Sequence, residues 1–320
     1  MKTIKYFQPD DGKKLPVVMV IVGPTAVGKS NLALEMASRL DGEIVSADSA
    51  QVYRHLNVGT AKPSLSEQER IKHHLIDIID PDVQFSVAHY QKLALKAIPE
   101  VLSAGKLPII AGGTGLYVRS ITDAYVFSSS GRNRRLREEL NGIARDRGSE
   151  YLHRQLAKHD PQSAMKIHPR DKRRIVRALE VYHSEGRQIS KQWQETRKQS
   201  PRYRFVIIGL TRDREELYRR INRRTDEMME NDFVGEVRNL LLRYPKDAPG
   251  LQVMGYRQLT DYLEGKLALE EATEIIKKET RNYAKRQLTW FRRDGRIRWF
   301  DTRGIDIEKL VENINGMMGG

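Results

Sequence analysis

A glycine-rich stretch near the start of the chain constrains the fold more than any other part of the sequence. The apolar run at 17–22 leads into GPTAVGKS, residues 23–30, and apolar residues with helical spacing follow. Strand, glycine loop and helix in this order form a phosphate-binding loop, in which backbone N–H groups and the positive helix end surround phosphate oxygens. Lys29 adds a positive charge, and Ser30 offers a hydroxyl to Mg²⁺. The pattern predicts a phosphorylated ligand and leaves its identity open.

Short apolar runs recur along the chain and predict a sheet. They lie at 17–22, 43–47, 74–78, 108–111 and 205–210, with helical patterns between them. Strands that alternate with helices indicate a mostly parallel sheet covered on both faces. The predicted fold is therefore α/β, a P-loop NTPase-like parallel sheet core flanked by helices. Ligands of such sheets bind at the carboxyl ends of the strands.

The strand pattern is interrupted in the middle of the chain. Residues 126–203 are polar, rich in arginine and helical in period. They predict a helical insertion domain between the first part of the core, 1–125, and its second part with the C-terminal helices, 204–320. In RDKRRIVRALEVYH the apolar residues Ile175 and Leu179 share one helix face, and arginines lie on another.

Composition restricts the partners of the protein. The 56 lysines and arginines exceed the 42 aspartates and glutamates, which gives a formal charge of +14. Nucleic acid is the first candidate partner and an anionic membrane the second, while a merely solvated basic surface is the alternative. The chain has no cysteine, which excludes disulfides and thiolate catalysis. No apolar run is long enough for a membrane span or a secretion signal, so we expect a soluble cytoplasmic protein.

Two further stretches place reactive groups at the edge of the sheet that carries the glycine loop. Asp48, in SADSAQVYR, follows the second predicted strand, where it could accept a proton from a nucleophile or cap a helix. Thr114, in GGTGLY, follows the fourth. That strand ends in glycines, not in the acidic residue with which hydrolytic P-loop enzymes hold a metal. Asp77 and Asp80 could take this role or could be turn residues.

Taken in order, these motifs resemble those of the tRNA dimethylallyltransferase family, bacterial enzymes that prenylate an adenosine next to the anticodon. The resemblance rests on GPTAVGKS, SADSAQVYR, VGTAKPS, AGGTGLY, VMGYRQL and TRNYAKRQLTWFRRD, and covers residues 20–293. It implies transfer of a dimethylallyl group from dimethylallyl diphosphate to N6 of adenosine 37 of tRNA, with release of diphosphate. It also implies Mg²⁺ as the cofactor and the tRNA anticodon stem-loop as the partner, with the helical insertion domain at 126–203 for tRNA binding; we expect a monomer.

The resemblance implies three groups of functional residues. The diphosphate-binding residues are Gly23, Pro24, Thr25, Ala26, Val27, Gly28, Lys29, Ser30, Arg220 and Arg224, with Mg²⁺ beside Ser30. The catalytic residues are Asp48, Thr25, Thr114 and Arg224, with Asp48 as the general base for the N6 amine. The tRNA-binding residues are Asp48, Ser49, Ala50, Gln51, Thr114, Arg135, Arg173, Arg174, Ile175, Val176, Arg177, Gly255, Tyr256, Arg257 and Gln258. Arg223 lies between Arg220 and Arg224, so the roles of the individual arginines stay open.

Three other functions share part of this pattern. A free-nucleotide isopentenyltransferase would have the same loop and general base, but it needs no long basic insertion. A small-molecule P-loop kinase would transfer phosphate from ATP and would require an acidic group to hold the metal. A basic RNA-binding module with a purely structural loop would bind RNA without turnover.

Overall fold

The computed structural model describes residues 15–127, 133–303 and 307–319, and its chain divides into two units. The first unit, here called the core, consists of the residues before Asp123 and after Pro201. The second, the insertion, is Asp123–Pro201. Both boundaries lie slightly before the predicted ones, 126 and 203. The first boundary directly follows the last core helix before the insertion, which ends at Thr122. No helix in the described residues has the length and hydrophobicity that crossing a bilayer requires.

A six-stranded parallel sheet forms the centre of the core. The strands are β1 (Val17–Val22), β2 (Gly42–Ser46), β3 (His73–His74), β4 (Leu107–Gly112), β5 (Arg204–Thr211) and β6 (Arg298–Asp301). Their order across the sheet is β3-β2-β4-β1-β5-β6, and all neighbouring pairs are parallel. Every residue of β1 is buried. The strand is covered on both faces of the sheet, which explains why its sequence is a continuous apolar run. The predicted α/β class is confirmed.

The helices of the described residues are numbered in chain order. Those of the core before the insertion are α1 (Lys29–Arg39), α2 (Leu65–Arg70), α3 (Val87–Ser103) and α4 (Gly115–Thr122). Those of the insertion are α5 (Arg134–Asp146), α6 (Ser149–His159), α7 (Pro161–Lys166), α8 (Lys172–Glu185) and α9 (Ile189–Lys198). The core continues with α10 (Arg214–Glu230), α11 (Phe233–Leu241), the 3₁₀ turn Pro249–Gln252, α12 (Tyr256–Leu263), α13 (Leu269–Phe291) and α14 (Ile307–Gly319).

Two strands differ from the sequence prediction. The apolar run at 74–78 predicts a full strand, but β3 ends at His74, because Leu75 and Asp77 have φ of 64° and 54° and leave the extended conformation. The edge strand β6 has no counterpart in the prediction. Its sequence, RWFD, is short and only partly buried, so it lacks the apolar run by which the other strands are recognised.

The insertion has a hydrophobic core of its own, which includes Leu152, Ile175 and Leu179. Glu180 is fully buried beside it and forms ion pairs with Arg137 and Arg177 at 2.8 and 2.7 Å. Burial alone would raise the pKa of the Glu180 carboxyl, but these pairs outweigh it and hold the pKa below its usual value. The charge of Arg177 is therefore used within the insertion.

The ends of β2 and β4 approach each other closely and bring their following residues together. The N–H of Ala47 donates to the carbonyl of Ala111 at 2.8 Å, and the N–H of Thr114 donates to the carbonyl of Ala47 at 3.1 Å. Gly112 lies between these bonds, where an added Cβ would collide with the carbonyl oxygen of Ala47. Asp48 and Thr114 are neighbours because a glycine permits this approach.

We expect Gly112→Ala to lower the free energy of unfolding by about 1–3 kcal/mol, because the backbone of Ala47 would have to move to accept the methyl group. Gly295→Ala is the matched control, since a Cβ at Gly295 meets no atom within 4 Å; its effect should stay within about 0.5 kcal/mol. Urea unfolding followed by circular dichroism measures both. Equal stability of the two variants would contradict the close approach of the strands.

Candidate active site

The P-loop, residues 23–30, joins β1 to α1 at the carboxyl edge of the sheet. Gly23 has a φ of 149°, and an added Cβ would lie 2.6 Å from the carbonyl oxygen of Leu210. Gly28 precedes α1 with a φ of 107°, in the region that favours glycine. Both glycines of the motif are thus required by the backbone. The loop leads into the N-terminal end of α1, where unpaired N–H groups and the helix dipole attract an anion.

The lysine of the P-loop is a partly desolvated cation. The ammonium of half-buried Lys29 donates to the carbonyl of Pro24 at 2.7 Å. Burial lowers the pKa of Lys29 to about 7; the carboxylate of Asp48 opposes this shift, and the guanidinium of Arg224 adds to it. An anion bound in the loop would therefore favour the charged form of Lys29.

Asp48 is half-buried and follows β2 directly. One of its carboxylate oxygens accepts the N–H of Ala50 at 2.8 Å, and its other oxygen accepts no hydrogen bond from the described residues. Residues after Asp48 form turns, and the next helix begins at Leu65, so the alternative in which Asp48 caps a following helix is wrong. One oxygen orients the side chain, and the other is available to a ligand.

Thr114 supports the turn that carries Asp48. Its hydroxyl oxygen accepts the N–H of Ser49 at 3.0 Å and lies 3.3 Å from the hydroxyl of Ser49. Gln51 lies two residues after Ser49. The side-chain oxygen of Gln51 accepts the hydroxyl of Ser46, and its side-chain nitrogen donates to the carbonyls of Thr60 and Ala61. The amide of Gln51 is therefore engaged in holding the loop.

Arg220, Arg223 and Arg224 of α10 have different surroundings. Arg220 donates from Nε to the carbonyl of Ala26 in the P-loop at 2.9 Å. Arg223 is exposed and pairs with Glu227 on its own helix at 2.8 Å. Arg224 is half-buried; burial lowers the pKa of its guanidinium, and Asp48 opposes the shift. Arg224 is thus the arginine that shares the environment of Lys29 and Asp48.

Some of these residues line a cavity of about 380 Å³ in the core, whereas Lys29, Thr114, Arg220 and Arg223 are not part of its wall. Thr25, Asp48 and Arg224 contribute to its polar wall, as does Tyr283 of α13, whose pKa burial raises to about 12. The apolar part of the wall is made of Ile221, Met228, Phe233, Val253, Met254 and Ile276. Its volume is in the range of sites for small organic ligands, and its wall suits a ligand with an anionic end and an apolar end.

The segment VMGYRQ contributes mainly to packing. Tyr256 is fully buried and its hydroxyl donates to Glu236 at 2.6 Å. Gln258 is 3% exposed and is held by the N–H of Gly255 and by Glu279. The side chains of Tyr256 and Gln258 are therefore engaged in packing, and tRNA contacts by these two residues stay a prediction. Buried Gly255 lines the cavity with its backbone, and Arg257 is exposed, paired with Glu279 at 3.1 Å.

The predicted RNA contacts of the insertion separate into exposed and buried residues. Arg135, Arg173 and Arg174 are exposed. Ile175 and Val176 are 0% and 5% exposed and belong to the hydrophobic core of the insertion, so their side chains are unavailable to RNA. The apolar face of α8 faces the interior of the insertion, and RNA contacts by these two residues stay a prediction.

The carboxylates suggested as metal ligands are engaged elsewhere. Asp77 pairs with the nearly buried ammonium of Lys62 at 2.5 Å, and Asp80 pairs with Arg54 at 3.2 Å. Within the described residues, no group of three or more histidines, aspartates or glutamates could hold a metal ion. The alternative in which Asp77 and Asp80 are turn residues is the one that these contacts favour.

Sequence reasoning missed Gln287, a buried amide of α13 that contacts the P-loop. A signal was present, because Gln287 lies between Ala284 and Phe291 on the apolar face of the helix, where a polar residue requires partners. It also missed Glu236 of α11, whose carboxylate accepts the N–H groups of Asn57 and Val58 at 3.0 and 2.9 Å. Nothing in the local sequence of Glu236 indicates a partner so distant along the chain.

Comparison with known proteins identifies the family. The model of the family described as IPP transferase matches residues 51–294, which is most of the chain. The chain belongs to the IPP transferase family. The family resemblance predicted from the sequence motifs is confirmed.

Relatives of this family member cover nearly its whole length. The tRNA dimethylallyltransferase of Carboxydothermus hydrogenoformans is 49% identical over 297 residues, which are 93% of this chain and 96% of the relative. That of Acetivibrio thermocellus is 48% identical, with 93% and 96% covered. The crystal structure of tRNA isopentenylpyrophosphate transferase from Bacillus halodurans has a TM-score of 0.70 at 42% identity, with 95% of each chain covered. A eukaryotic dimethylallyltransferase, solved acting on tRNA, has a TM-score of 0.81 at 28% identity and covers 96% of this chain and 80% of its own.

We expect Arg224→Ala to weaken the binding of inorganic diphosphate by about 10–100-fold, because a charge-assisted hydrogen bond contributes about 1.5–3 kcal/mol. Arg223→Ala, one residue away on the exposed side of α10, should change the affinity by less than about twofold. Isothermal titration calorimetry at constant ionic strength measures both. Equal losses would show that only the net charge of α10 matters.

The pKa of Lys29 predicts proton uptake on anion binding. Above about pH 7 the free protein holds Lys29 largely neutral, and a bound diphosphate would raise its pKa again. Binding of inorganic diphosphate should therefore be coupled to the uptake of close to one proton by Lys29. The affinity should fall as the pH rises from about 7 to about 9, because this proton becomes harder to take up. Calorimetry in buffers of different ionisation enthalpy measures this uptake. Lys29→Arg, which stays charged, should lack it; the same uptake in both proteins would contradict the assignment.

Proposed function

We propose that this enzyme transfers the dimethylallyl group of dimethylallyl diphosphate to N6 of adenosine 37 of tRNA and releases diphosphate. Dimethylallyl transfer to tRNA is the activity named for its relatives in the family. The observation that carries the proposal for this chain is the single cavity that joins P-loop residue Thr25, Arg224 and the carboxylate of Asp48. The reaction needs a leaving-group site and a base, and this cavity is lined by Thr25 and Arg224 of the proposed leaving-group site and by the proposed base.

The P-loop and its arginines would stabilise the leaving group. As the allylic C–O bond breaks, its electron pair stays on the diphosphate, where negative charge accumulates. Lys29, the first N–H groups of α1 and Arg224 offer complementary charge. The N–H of Thr25 donates to Gln287 at 2.8 Å, so Thr25 would contribute its hydroxyl and not its backbone amide. Arg220 would act through the loop, because its guanidinium already binds the carbonyl of Ala26.

Asp48 would act as the general base for the acceptor. The exocyclic amine of adenine is a weak nucleophile because its lone pair is conjugated with the ring. As the new N–C bond forms, the nitrogen must lose a proton, and a carboxylate within hydrogen-bond reach can accept it. The oxygen of Asp48 that accepts no hydrogen bond from the described residues suits this role, and the other keeps the side chain oriented through Ala50.

Mg²⁺ fits the start of α1. Ser30 is exposed there, and a single protein hydroxyl is compatible with an ion that keeps several waters and uses substrate phosphates as ligands. When bound, Mg²⁺ would neutralise part of the charge of the diphosphate. Ser30 lines a second cavity, of about 220 Å³, which also reaches Arg224.

The tRNA would be bound through charge and through an extracted base. The formal charge of +14 and the exposed Arg135, Arg173 and Arg174 favour a phosphate backbone. Adenosine 37 lies among stacked bases, so the nucleotide must be turned out to reach a cavity. Ser49, Ala50 and the backbone of Gly255 line the cavity beside Asp48 and would contact the base. We further propose that the enzyme acts as a monomer in the cytoplasm.

The rival functions differ in substrate and in the metal ligands they need. A free-nucleotide isopentenyltransferase would prefer AMP to tRNA. A kinase would need a carboxylate to hold its metal, and the ion pairs of Asp77 and Asp80 argue against those two residues. An RNA-binding module would show no turnover at all.

We expect Asp48→Asn to reduce the turnover number with unmodified tRNA by about 10²–10⁴-fold, because the amide cannot accept the proton. The asparagine oxygen can still accept the N–H of Ala50, so the loop and the affinity for tRNA should be retained. Labelled dimethylallyl diphosphate with Mg²⁺ and tRNA, followed by mapping of the labelled nucleoside, measures the reaction. The exposed turn variant Asp82→Asn should react like the wild type. Preferred transfer to AMP, or label outside the anticodon loop, would overturn the proposal.

A further inference from the structure

The side chain of Gln287 connects two loops that follow different strands. Its oxygen accepts the N–H of Thr25 in the P-loop at 2.8 Å, and its nitrogen donates to the carbonyl of Gly113 after β4 at 2.9 Å. Gln287 is 6% exposed, so neither bond is readily replaced by water. Both ends of one amide are thus used to join the two loops.

The amide of Gln287 fits against Gly113 because this residue has no side chain. A Cβ added to Gly113 would collide with the side-chain nitrogen of Gln287. The same Cβ would lie 3.7 Å from the carbonyl oxygen of Gly23, so the turn after β4 and the P-loop are adjacent. Gly113 of the GGTG turn is therefore needed for the close approach of α13, in addition to any conformational freedom that it gives the turn.

The turn that Gln287 binds also supports the residue next to Asp48. Thr114 follows Gly113, and its hydroxyl oxygen accepts the N–H of Ser49. A chain of hydrogen bonds therefore runs from the P-loop through Gln287 and the Gly113–Thr114 turn to the segment that begins with Asp48. The leaving-group site and the base are joined by side-chain contacts as well as by the sheet.

We propose that Gln287 is a positioning residue that fixes the distance between the P-loop and the turn supporting Asp48. This inference rests on the proposed function, because it concerns the geometry between the diphosphate and the base. Glutamine suits the position since it offers one donor and one acceptor and carries no charge. Methionine has a similar length and leaves both backbone groups unpaired. Glutamate can still accept the N–H of Thr25. Its second oxygen would face the carbonyl oxygen of Gly113 and cannot donate to it, so that hydrogen bond is lost.

Loss of this contact should affect turnover more than binding. A displacement of about 1 Å between reacting groups can cost about 100-fold in rate, whereas RNA affinity depends on charges spread over a larger surface. We expect Gln287→Met to lower the turnover number by about 10–100-fold, and the Michaelis constant for dimethylallyl diphosphate to rise by less than this factor. The dissociation constant for tRNA should change by less than about twofold.

Gln91→Met is the matched control. The side-chain nitrogen of half-buried Gln91 donates to the carbonyl of Ser120 at 2.8 Å and so joins α3 to α4, away from the cavity. If Gln287 only stabilises the fold, the two methionine variants should lose melting temperature and turnover in the same proportion. We expect similar melting temperatures and a turnover defect confined to Gln287→Met.

The experiment compares the wild type, Gln287→Met, Gln287→Glu and Gln91→Met in single-turnover prenyl transfer with tRNA already bound. Failure of the wild type to transfer the group would refute the proposed function. Transfer by the wild type, together with a rate within about twofold of it for Gln287→Met, would refute the positioning role alone. If Gln287→Met does not fold, Gln287→Glu decides, because the loss of the Gly113 bond should lower its turnover at unchanged tRNA affinity.

Discussion

The parallel pairing of β1, β2 and β4 is the constraint on which the candidate site depends. Neighbouring strands lie about 4.8 Å apart, so the residues that follow them meet at one edge of the sheet. The P-loop follows β1, Asp48 follows β2, and the turn with Gly113 and Thr114 follows β4. Because Gly112 lets the backbone of β4 contact Ala47, the last two loops are joined by main-chain hydrogen bonds. The sheet thus brings the proposed base and the proposed leaving-group site to the same edge.

The electrostatics of the site match a reaction in which charge appears on a leaving group. Burial lowers the pKa of Lys29 and of Arg224, and Asp48 offsets only part of each shift. The charged forms of both side chains are therefore less well solvated than they would be in water, and an anion would stabilise them. Such preorganised charge favours the state in which diphosphate has separated from carbon over the state in which the bond is intact.

Segments that carry family motifs contain both buried and exposed residues. In α8, Arg173 and Arg174 are exposed while the next two residues enter the core of the insertion. In the segment VMGYRQ, Tyr256 and Gln258 are buried and Arg257 between them is exposed. A helix turns by about 100° per residue, so residues one or two positions apart can lie on different faces of the helix. A motif therefore identifies a functional region more securely than it identifies each contacting side chain.

The sequence by itself determined the α/β class, the P-loop, the helical insertion and the position of Asp48 after a strand. These features depend on local patterns, which are apolar runs, helical spacing and glycines that the backbone requires. Only the tertiary structure separated Arg224 from Arg223, showed that Tyr256 is buried, and placed Gln287 between Thr25 and Gly113. Residue 287 is 262 positions from its partner Thr25, and local patterns carry no information about contacts between residues so far apart. The candidate reactive groups could therefore be predicted from the sequence, whereas the contacts that position them exist only after the chain has folded.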